Sequence, residues 1–163
     1  MASLNDPIVR QLLEGRYIAT LASHNPDGSI HMVAVWHWFD GAKVYVATSS
    51  RSRKARNIQA RSSVSVTIDS RDPVASCGLT IAGTAQILSG SAAAKIREQV
   101  HRKYLSETAL ADPKIGPVFA AVDDIVIDIT PASVIAWDMR FVDRQFFGGA
   151  IEKNPSYLLP LAR

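Results

Sequence analysis

The sequence has little cysteine and no long apolar run. A single cysteine, Cys77, stands among 163 residues, which excludes an intramolecular disulfide and a cysteine-cluster metal site. We therefore expect a reducing, cytoplasmic setting, with Cys77 as a small buried hydrophobic residue. No apolar run approaches the roughly 18 residues of a membrane-spanning helix. Residues 1–15 carry Asp6 and Glu14 and have no long apolar centre, so we expect no secretory signal there.

Neither sign of charge dominates the chain. It has 18 basic and 15 acidic residues, which give a formal net charge of +3. This small excess does not by itself indicate a nucleic-acid partner, so a basic site has to be found locally. Hydrophobic residues make up 47% and charged residues 20%. These proportions exclude wholesale disorder and predict one packed globular domain.

Alternating apolar residues and turn signals predict a mainly β fold. Turn sequences at 25–29 and 40–41 each separate two apolar stretches, as in hairpins. Because the strands come in hairpins and do not alternate with helices, we expect an antiparallel, Greek-key-like barrel with helices at its ends. Gly83 predicts a bulge or a close backbone approach within its strand. The predicted strands are 17–23, 30–39, 43–48, 63–69, 79–88, 124–130 and 134–137. Helices are predicted from Pro7, within 49–58 and over 91–105, and 107–117 is predicted to be irregular.

One segment without acidic residues carries the strongest functional signal. No Asp or Glu occurs between Asp40 and Asp69. Cations, hydroxyls, backbone amides and a helix N-terminus in one short loop are groups that bind a phosphate dianion. The alternatives are a solvated basic helix face and a nucleic-acid site, although no aromatic platform adjoins the cluster. The basic residues are Lys43, Arg51, Arg53, Lys54, Arg56 and Arg61, and the hydroxyl residues are Thr48, Ser49, Ser50 and Ser52.

The order of elements and this loop resemble the FMN-binding split-barrel family that includes pyridoxamine 5′-phosphate oxidase. The local match is a strand that ends at Thr48, a three-residue gap, and a helix that opens with a Ser-Arg-Lys element. In that family this element and the strand-terminal Thr bind the flavin phosphate. The resemblance therefore implies that the phosphate binds near Ala47, at Thr48, Ser52, Arg53 and Lys54. It also implies that the flavin ring lies along the second strand, at His31, Met32, Val33, Ala34 and Val35.

A second match lies near the C-terminus. Pro131 and Trp137 repeat the spacing of the family's late strand, and residues 140–144 resemble its closing Arg-x-His-Asp-Arg element. In the family these residues reach a flavin that is shared with the other subunit. The resemblance thus implies a homodimer with the cofactor at the subunit interface, and it makes Trp137, Arg140 and Arg144 contacts from the second chain. A single split-barrel domain is expected over 1–145, and the tail at 146–163 is expected to pack on the barrel or on the partner.

The chain departs from the family oxidase at several positions. The closing histidine is replaced by Val142, and the residues that hold pyridoxamine phosphate are absent from 91–105 and the loop after it. The chain looks more like a broad branch of the family that includes FMN enzymes, deazaflavin enzymes and tetrapyrrole-handling proteins. We expect an FMN-dependent oxidoreductase that acts on a small molecule, with no metal site.

Two alternatives keep the same fold. A deazaflavin-dependent reductase would need a longer basic groove, with Arg51, Arg56 and Arg61 aligned with Arg53 and Lys54. A non-enzymatic flavin- or haem-binding module would hold its chromophore without turnover, and His37 is a candidate haem ligand. Trp36 and Trp38, on one face of the predicted second strand, are expected to pack against a helix or a partner subunit.

Overall fold

The chain folds into seven strands with helices around them. The computed structural model describes residues 2–70, 72 and 74–159. The strands are β1 (Ala19–His24), β2 (Ile30–Val35), β3 (Trp38–Phe39), β4 (Val44–Thr48), β5 (Ser63–Asp69), β6 (Cys77–Leu88) and β7 (Ile125–Asp138). The helices are α1 (Pro7–Glu14), α2 (Arg53–Ala60), α3 (Gly90–Tyr104), α4 (Glu107–Ala111), α5 (Gly116–Val122), α6 (Met139–Phe147) and α7 (Ala150–Lys153), followed by a 3-10 turn at Pro155–Tyr157.

All seven strands belong to one antiparallel sheet in the order β2-β1-β5-β6-β7-β4-β3. The edge strands β2 and β3 are consecutive in the chain, with Trp36 and His37 between them. A link of this length spans at most about 11 Å. The sheet therefore has to curl until its two edges meet at this end. The prediction of an antiparallel barrel with peripheral helices is confirmed.

The main core fills the inside of the curl. On β5, Val64, Val66 and Ile68 are buried and alternate with residues that face outward. Helix α1 adds Leu12 and Leu13, which are both fully buried in the same core. The helix starts as predicted, with a proline at its first position.

Helix α3 packs on the outside of the barrel. Its Ala93 meets Tyr45 of β4 and Val126 of β7 in a second, smaller core. This contact brings the C-terminal part of the helix, with His101 and Tyr104, to the end of the barrel where β2 stops.

Strands β6 and β7 form the longest ladder of the sheet. Their register shifts between Ala82 and Gly83, and a Cβ on Gly83 would collide with the carbonyl oxygen of Thr130. The predicted bulge and close approach at Gly83 are therefore present. Pro131 lies opposite this shift, where its missing N–H costs no regular ladder bond. Strand β7 consequently runs through the proline as one strand, and the prediction of two separate strands is wrong.

Two other predictions need correction. The stretch 30–39 is not one strand, because the ladder breaks at Trp36 and His37, which turn toward α3. The segment 107–117 is not irregular throughout, since α4 and the start of α5 lie within it. Ser106 caps α4 by accepting the Ala109 N–H at 3.1 Å, a local signal that the sequence did contain.

Helix α6 crosses the predicted boundary at residue 145. Its Phe146 and Phe147 are exposed, as are Tyr157 and Leu159 further along. These side chains do not pack on the barrel of their own chain, and packing on a partner stays a prediction. The end of the predicted tail, residues 160–163, lies outside the described residues. Within the described part of the chain, no helix combines the length and apolar character needed to cross a membrane.

Candidate functional site

A cavity of about 330 Å³ opens where β2 and β4 end. One side is apolar, the far side carries two aromatic rings, and one end is polar with a lysine and a carboxylate. It is lined by Ile18, Ala34, Val35, Trp36, Ala47, Thr48, Lys54, Val100, Phe119 and Asp123.

The aromatic wall is a stack of three rings. Trp36 stacks with Tyr104 of α3 and with Phe119 of α5, with ring centroids 5.1 Å and 5.5 Å away. The interplanar angles of 6° and 22° make both contacts stacked. Because both neighbouring rings belong to helices, α3 and α5 hold the Trp36 ring in its position in the cavity wall.

A buried hydrogen-bond network anchors this wall from behind. The Tyr104 O–H donates to the Tyr17 carbonyl at 2.6 Å, and its oxygen lies 3.0 Å from His37 Nδ1. His37 Nε2 lies 3.0 Å from Lys103 Nζ and 3.0 Å from the Leu13 carbonyl oxygen, and Nζ donates to that same carbonyl at 2.7 Å. Burial and the Lys103 charge lower the pKa of His37 to about 3, and burial lowers the pKa of Lys103 to about 8. The network therefore holds a neutral imidazole beside an ammonium group.

The polar end of the cavity is formed where β4 leads into α2. Ser52 caps α2 by accepting the Ala55 N–H at 3.2 Å. Thr48, buried at the end of β4, donates its hydroxyl proton to Ser52 Oγ at 3.4 Å. This contact fixes the start of the helix against the strand, so the second helical residue, Lys54, reaches the cavity.

Arg53 and Lys54 face different surroundings although they are adjacent. Lys54 is half-buried, and its pKa is lowered by burial while the charge of Asp123 acts in the opposite direction. Arg53 is exposed and lines a neighbouring groove of about 390 Å³ together with Arg56 and Asp27. The helix thus directs one cation into the cavity and two into the groove.

Two carboxylates from the two residues just before β7 lie near the loop that contains no acidic residue of its own. Asp124 accepts the backbone N–H and the hydroxyl of Ser50, both at 2.6 Å, and these bonds lower its pKa. Asp123 lines the cavity itself, and its Oδ2 lies 2.9 Å from His101 Nε2. The sequence segment is free of acids, but its surroundings in space are not.

The predicted site residues separate into groups. The cavity brings together Ala34, Val35, Ala47, Thr48 and Lys54. Ser52 acts as the helix cap beside it and Arg53 lies in the groove. His31, Met32 and Val33 lie further along the edge strand β2 and do not line the cavity.

Trp137, Arg140 and Arg144 lie at the opposite end of β7. Strand β7 pairs Ile125 with Thr48, and Trp137 follows 12 residues later, about 40 Å along an extended strand. Arg140 is bound through two 2.8 Å hydrogen bonds to Asp138. These residues do not line the cavity of their own chain, so their predicted role requires a second chain.

Half of the residues that line the cavity were not predicted as site residues: Ile18, Trp36, Val100, Phe119 and Asp123. Trp36 was predicted to pack against a helix or a partner subunit, and it does pack on α3 and α5. Phe119 and Asp123 lie between the segment predicted to be irregular, 107–117, and the strand predicted from residue 124. Their relation to the cavity depends on where α5 folds back over α3, and no local pattern encodes this contact. Among residues 2–70, 72 and 74–159, no three His, Cys, Asp or Glu side chains come together to hold a metal ion.

Comparison with solved structures shows the fold again in other proteins. A conserved hypothetical protein, Rv2991 of Mycobacterium tuberculosis, aligns with a TM-score of 0.71 and 22% identity over 87% of this chain and 88% of that one. An F420 reductase aligns with a TM-score of 0.61 and 24% identity, over 77% and 94% of the two chains. The haem storage protein HutZ of Vibrio cholerae aligns with a TM-score of 0.62 and 15% identity, over 80% and 92%.

The sequence itself also matches a family model. No curated protein sequence matches the chain. The model described as pyridoxamine 5′-phosphate oxidase matches residues 6–138, which include the whole barrel and the cavity. The predicted resemblance is confirmed, and the chain belongs to the pyridoxamine 5′-phosphate oxidase family.

Proposed function

We propose that this protein is an FMN-dependent oxidoreductase that acts on a small molecule, with FMN bound in the cavity at the ends of β2 and β4. One observation carries the proposal: an apolar slot with a clamped aromatic wall ends at Thr48 and Lys54. A flavin needs such a slot for its ring and a cationic end for its phosphate.

The residues present fit the cofactor. Trp36 and Phe119 offer an aromatic surface beside the small side chains of Ala34 and Ala47. Lys54 would hold the phosphate, together with backbone amides at the start of α2. When bound, the flavin would supply hydride or electron transfer, and the chain's residues would orient it and exclude water.

A homodimer completes the proposed site. The outer edge of β2 and the outer face of β7 expose apolar side chains: Met32 is 62% and Ile135 is 62% exposed. Between them the sheet face carries small residues, including Ala22 of β1 and Ala82 of β6, which lie in one row with Met32. A second copy packed on this face would bury the apolar edges and could bring its Trp137 and Arg144 to the cavity.

A deazaflavin-dependent reductase is the second candidate. The groove lined by Arg53 and Arg56 adjoins the start of α2 and could hold a longer anionic tail. The F420 reductase with the same fold supports this reading. Arg61, at the C-terminal end of α2, does not line this groove.

A haem-binding module without turnover is supported by the likeness to HutZ. His37 does not support it, because this residue is fully buried and both of its ring nitrogens have hydrogen-bond partners. Haem would therefore need a different axial ligand.

The absorption spectrum of the purified protein tests these candidates. We expect a yellow protein that releases FMN on denaturation, or a colourless one that takes up FMN more tightly than riboflavin. Tighter uptake of the deazaflavin coenzyme than of FMN would favour the second candidate, and a Soret band without nicotinamide-dependent turnover would favour the haem module. A protein that binds none of the three would overturn the proposal.

A further inference from the structure

The polar end of the cavity presents a cation and a carboxylate that do not touch. Lys54 and Asp123 both line it, yet no ion pair joins them among the described residues. The Asp123 carboxylate is held by His101 Nε2 at 2.9 Å, and its backbone carbonyl accepts from Arg97 at 2.9 Å. Because His101 is only 4% exposed, α3 fixes the carboxylate in place.

This arrangement is unfavourable for a phosphate dianion. A second negative charge close to Asp123 would be repelled by its carboxylate. Asp124 is already bound to Ser50, whereas Asp123 has an oxygen that no hydrogen bond within the described chain occupies. A proton placed between the two anions would turn the repulsion into a hydrogen bond.

We propose that Asp123 is a specificity-determining residue that makes the cavity select phosphate monoesters, which bind with one proton retained between a phosphate oxygen and the Asp123 carboxylate. Lys54 then balances the remaining negative charge of the ester. A phosphodiester has no second ionisable proton to share. Its negative charge is therefore repelled by the Asp123 carboxylate, and no hydrogen bond between the two anions offsets this repulsion. This inference rests on the proposed function, since it concerns the same cavity and an FMN-type ligand.

The other charged groups around Asp123 do not take this proton. Lys54 from α2 and Arg97 from α3 are cations that already carry theirs, and Arg51 from the loop before α2 acts on the neighbouring Asp124. The competitor is His101, which faces Asp123 from α3 and also lines an outer groove beside Lys95 and Glu98. A variant at His101 therefore separates the two possible proton acceptors.

Proton uptake on FMN binding tests the proposal directly. Calorimetric titrations at pH 8, in two buffers that differ in ionisation enthalpy, count the protons bound with the ligand. The second pKa of a phosphate monoester is about 6, so free FMN is a dianion at this pH. We expect close to one proton per FMN bound by the unmodified protein, and none with riboflavin. Binding of FMN without proton uptake would overturn the inference and leave the proposed function standing.

Variants assign the proton to its site. Asp123→Asn should abolish the uptake, whereas His101→Gln should keep it and only weaken binding, because His101 positions the carboxylate. Loss of the uptake in His101→Gln but not in Asp123→Asn would overturn the assignment. Glu98→Gln, which removes the same charge from the outer face of α3, is the matched control and should behave as the unmodified protein.

A phosphodiester ligand provides the second measurement. We expect the unmodified protein to bind FMN on the order of tenfold or more tightly than riboflavin 4′,5′-cyclic phosphate, and Asp123→Asn to reduce this preference. Equal affinities in the unmodified protein would contradict the inference even if the variant did not fold. Failure of the unmodified protein to bind FMN at all would instead overturn the proposed function, and the inference with it.

Discussion

Lys54 and Arg53 show how one helix turn separates two neighbouring cations. About 100° of rotation lies between successive residues of an α-helix, so Lys54 enters the cavity while Arg53 enters the groove with Asp27. The two were predicted as one phosphate-binding pair. The structure gives them unequal access to the cavity, and this difference can be measured.

Replacement of Lys54 by Ala should weaken FMN binding by about 10- to 100-fold, the effect of one lost charge-assisted hydrogen bond. Riboflavin binding should hardly change, because it has no phosphate. Flavin fluorescence titrations measure both affinities.

Arg53→Ala should have a smaller effect than Lys54→Ala, and Arg61→Ala, at the other end of α2, serves as the control. A larger loss in Arg53→Ala would place the phosphate in the groove and contradict the cavity.

At the scale of elements, the β6–β7 ladder depends on the absence of one side chain. Gly83 lies where the register shifts and where the backbone of Thr130 comes closest. The bulge next to Pro131 lets β7 continue without a regular partner for the proline. This ladder connects both halves of the barrel and positions β7, whose first residue pairs with Thr48 at the cavity.

Gly83→Ala should therefore lower the free energy of unfolding by about 1–3 kcal/mol, because the added methyl group forces the two strands apart. Urea denaturation measures the loss. Thr84→Ala, at the exposed neighbouring position, should stay within about 0.5 kcal/mol of the unmodified protein. Equal stabilities of the two variants would mean that the strands can separate there at no cost.

For the whole molecule, assembly is the property that the proposed site requires. Met32 lies on the apolar edge of the sheet and is 62% exposed in the single chain. Met32→Arg should produce a monomer, because a charged side chain would be buried in the proposed interface. Light scattering after size-exclusion chromatography measures the mass.

Thr108→Arg, at an exposed position of α4, which packs on α3 and α5, should leave the dimer intact. A monomeric unmodified protein, or a Met32→Arg variant that still dimerises, would show that this face is not the interface.

Stability of the whole fold should fall in acid because of His37. Its pKa is lowered to about 3 in the folded chain, against about 6.5 in an unfolded chain. The unfolded state therefore binds more protons between these values, and stability is lost as the pH falls from 6.5 toward 3. Between pH 7 and pH 5 the loss from this residue should be about 2 kcal/mol.

Urea denaturation of the unmodified protein and of His37→Asn at both pH values isolates this contribution. The variant should be less stable at pH 7, since its buried network is broken, but its stability should change less with pH. An equal change in both proteins would show that His37 is not the group that titrates.

The barrel could be predicted from the sequence because its signals are local. Alternation in β5 and the turn at 25–29 act between residues that are close along the chain. The cap at Ser52 has the same origin, and so do the positions of Thr48 and Lys54 around the start of α2. The break at Trp36 and His37 could not be predicted in this way, because His37 contacts the Leu13 carbonyl of α1 and both residues contact Tyr104 of α3.

The sequence by itself determined the strands, the helix start after β4 and the cluster of cations around it, since propensity, capping and alternation depend on neighbouring residues. Only the tertiary structure decided which of these cations reaches the cavity and that Asp123 lies beside it. About 70 residues separate Asp123 from Lys54 in the chain. Electrostatic interactions depend on distance in space, and that distance exists only once α3, α5 and β7 have packed.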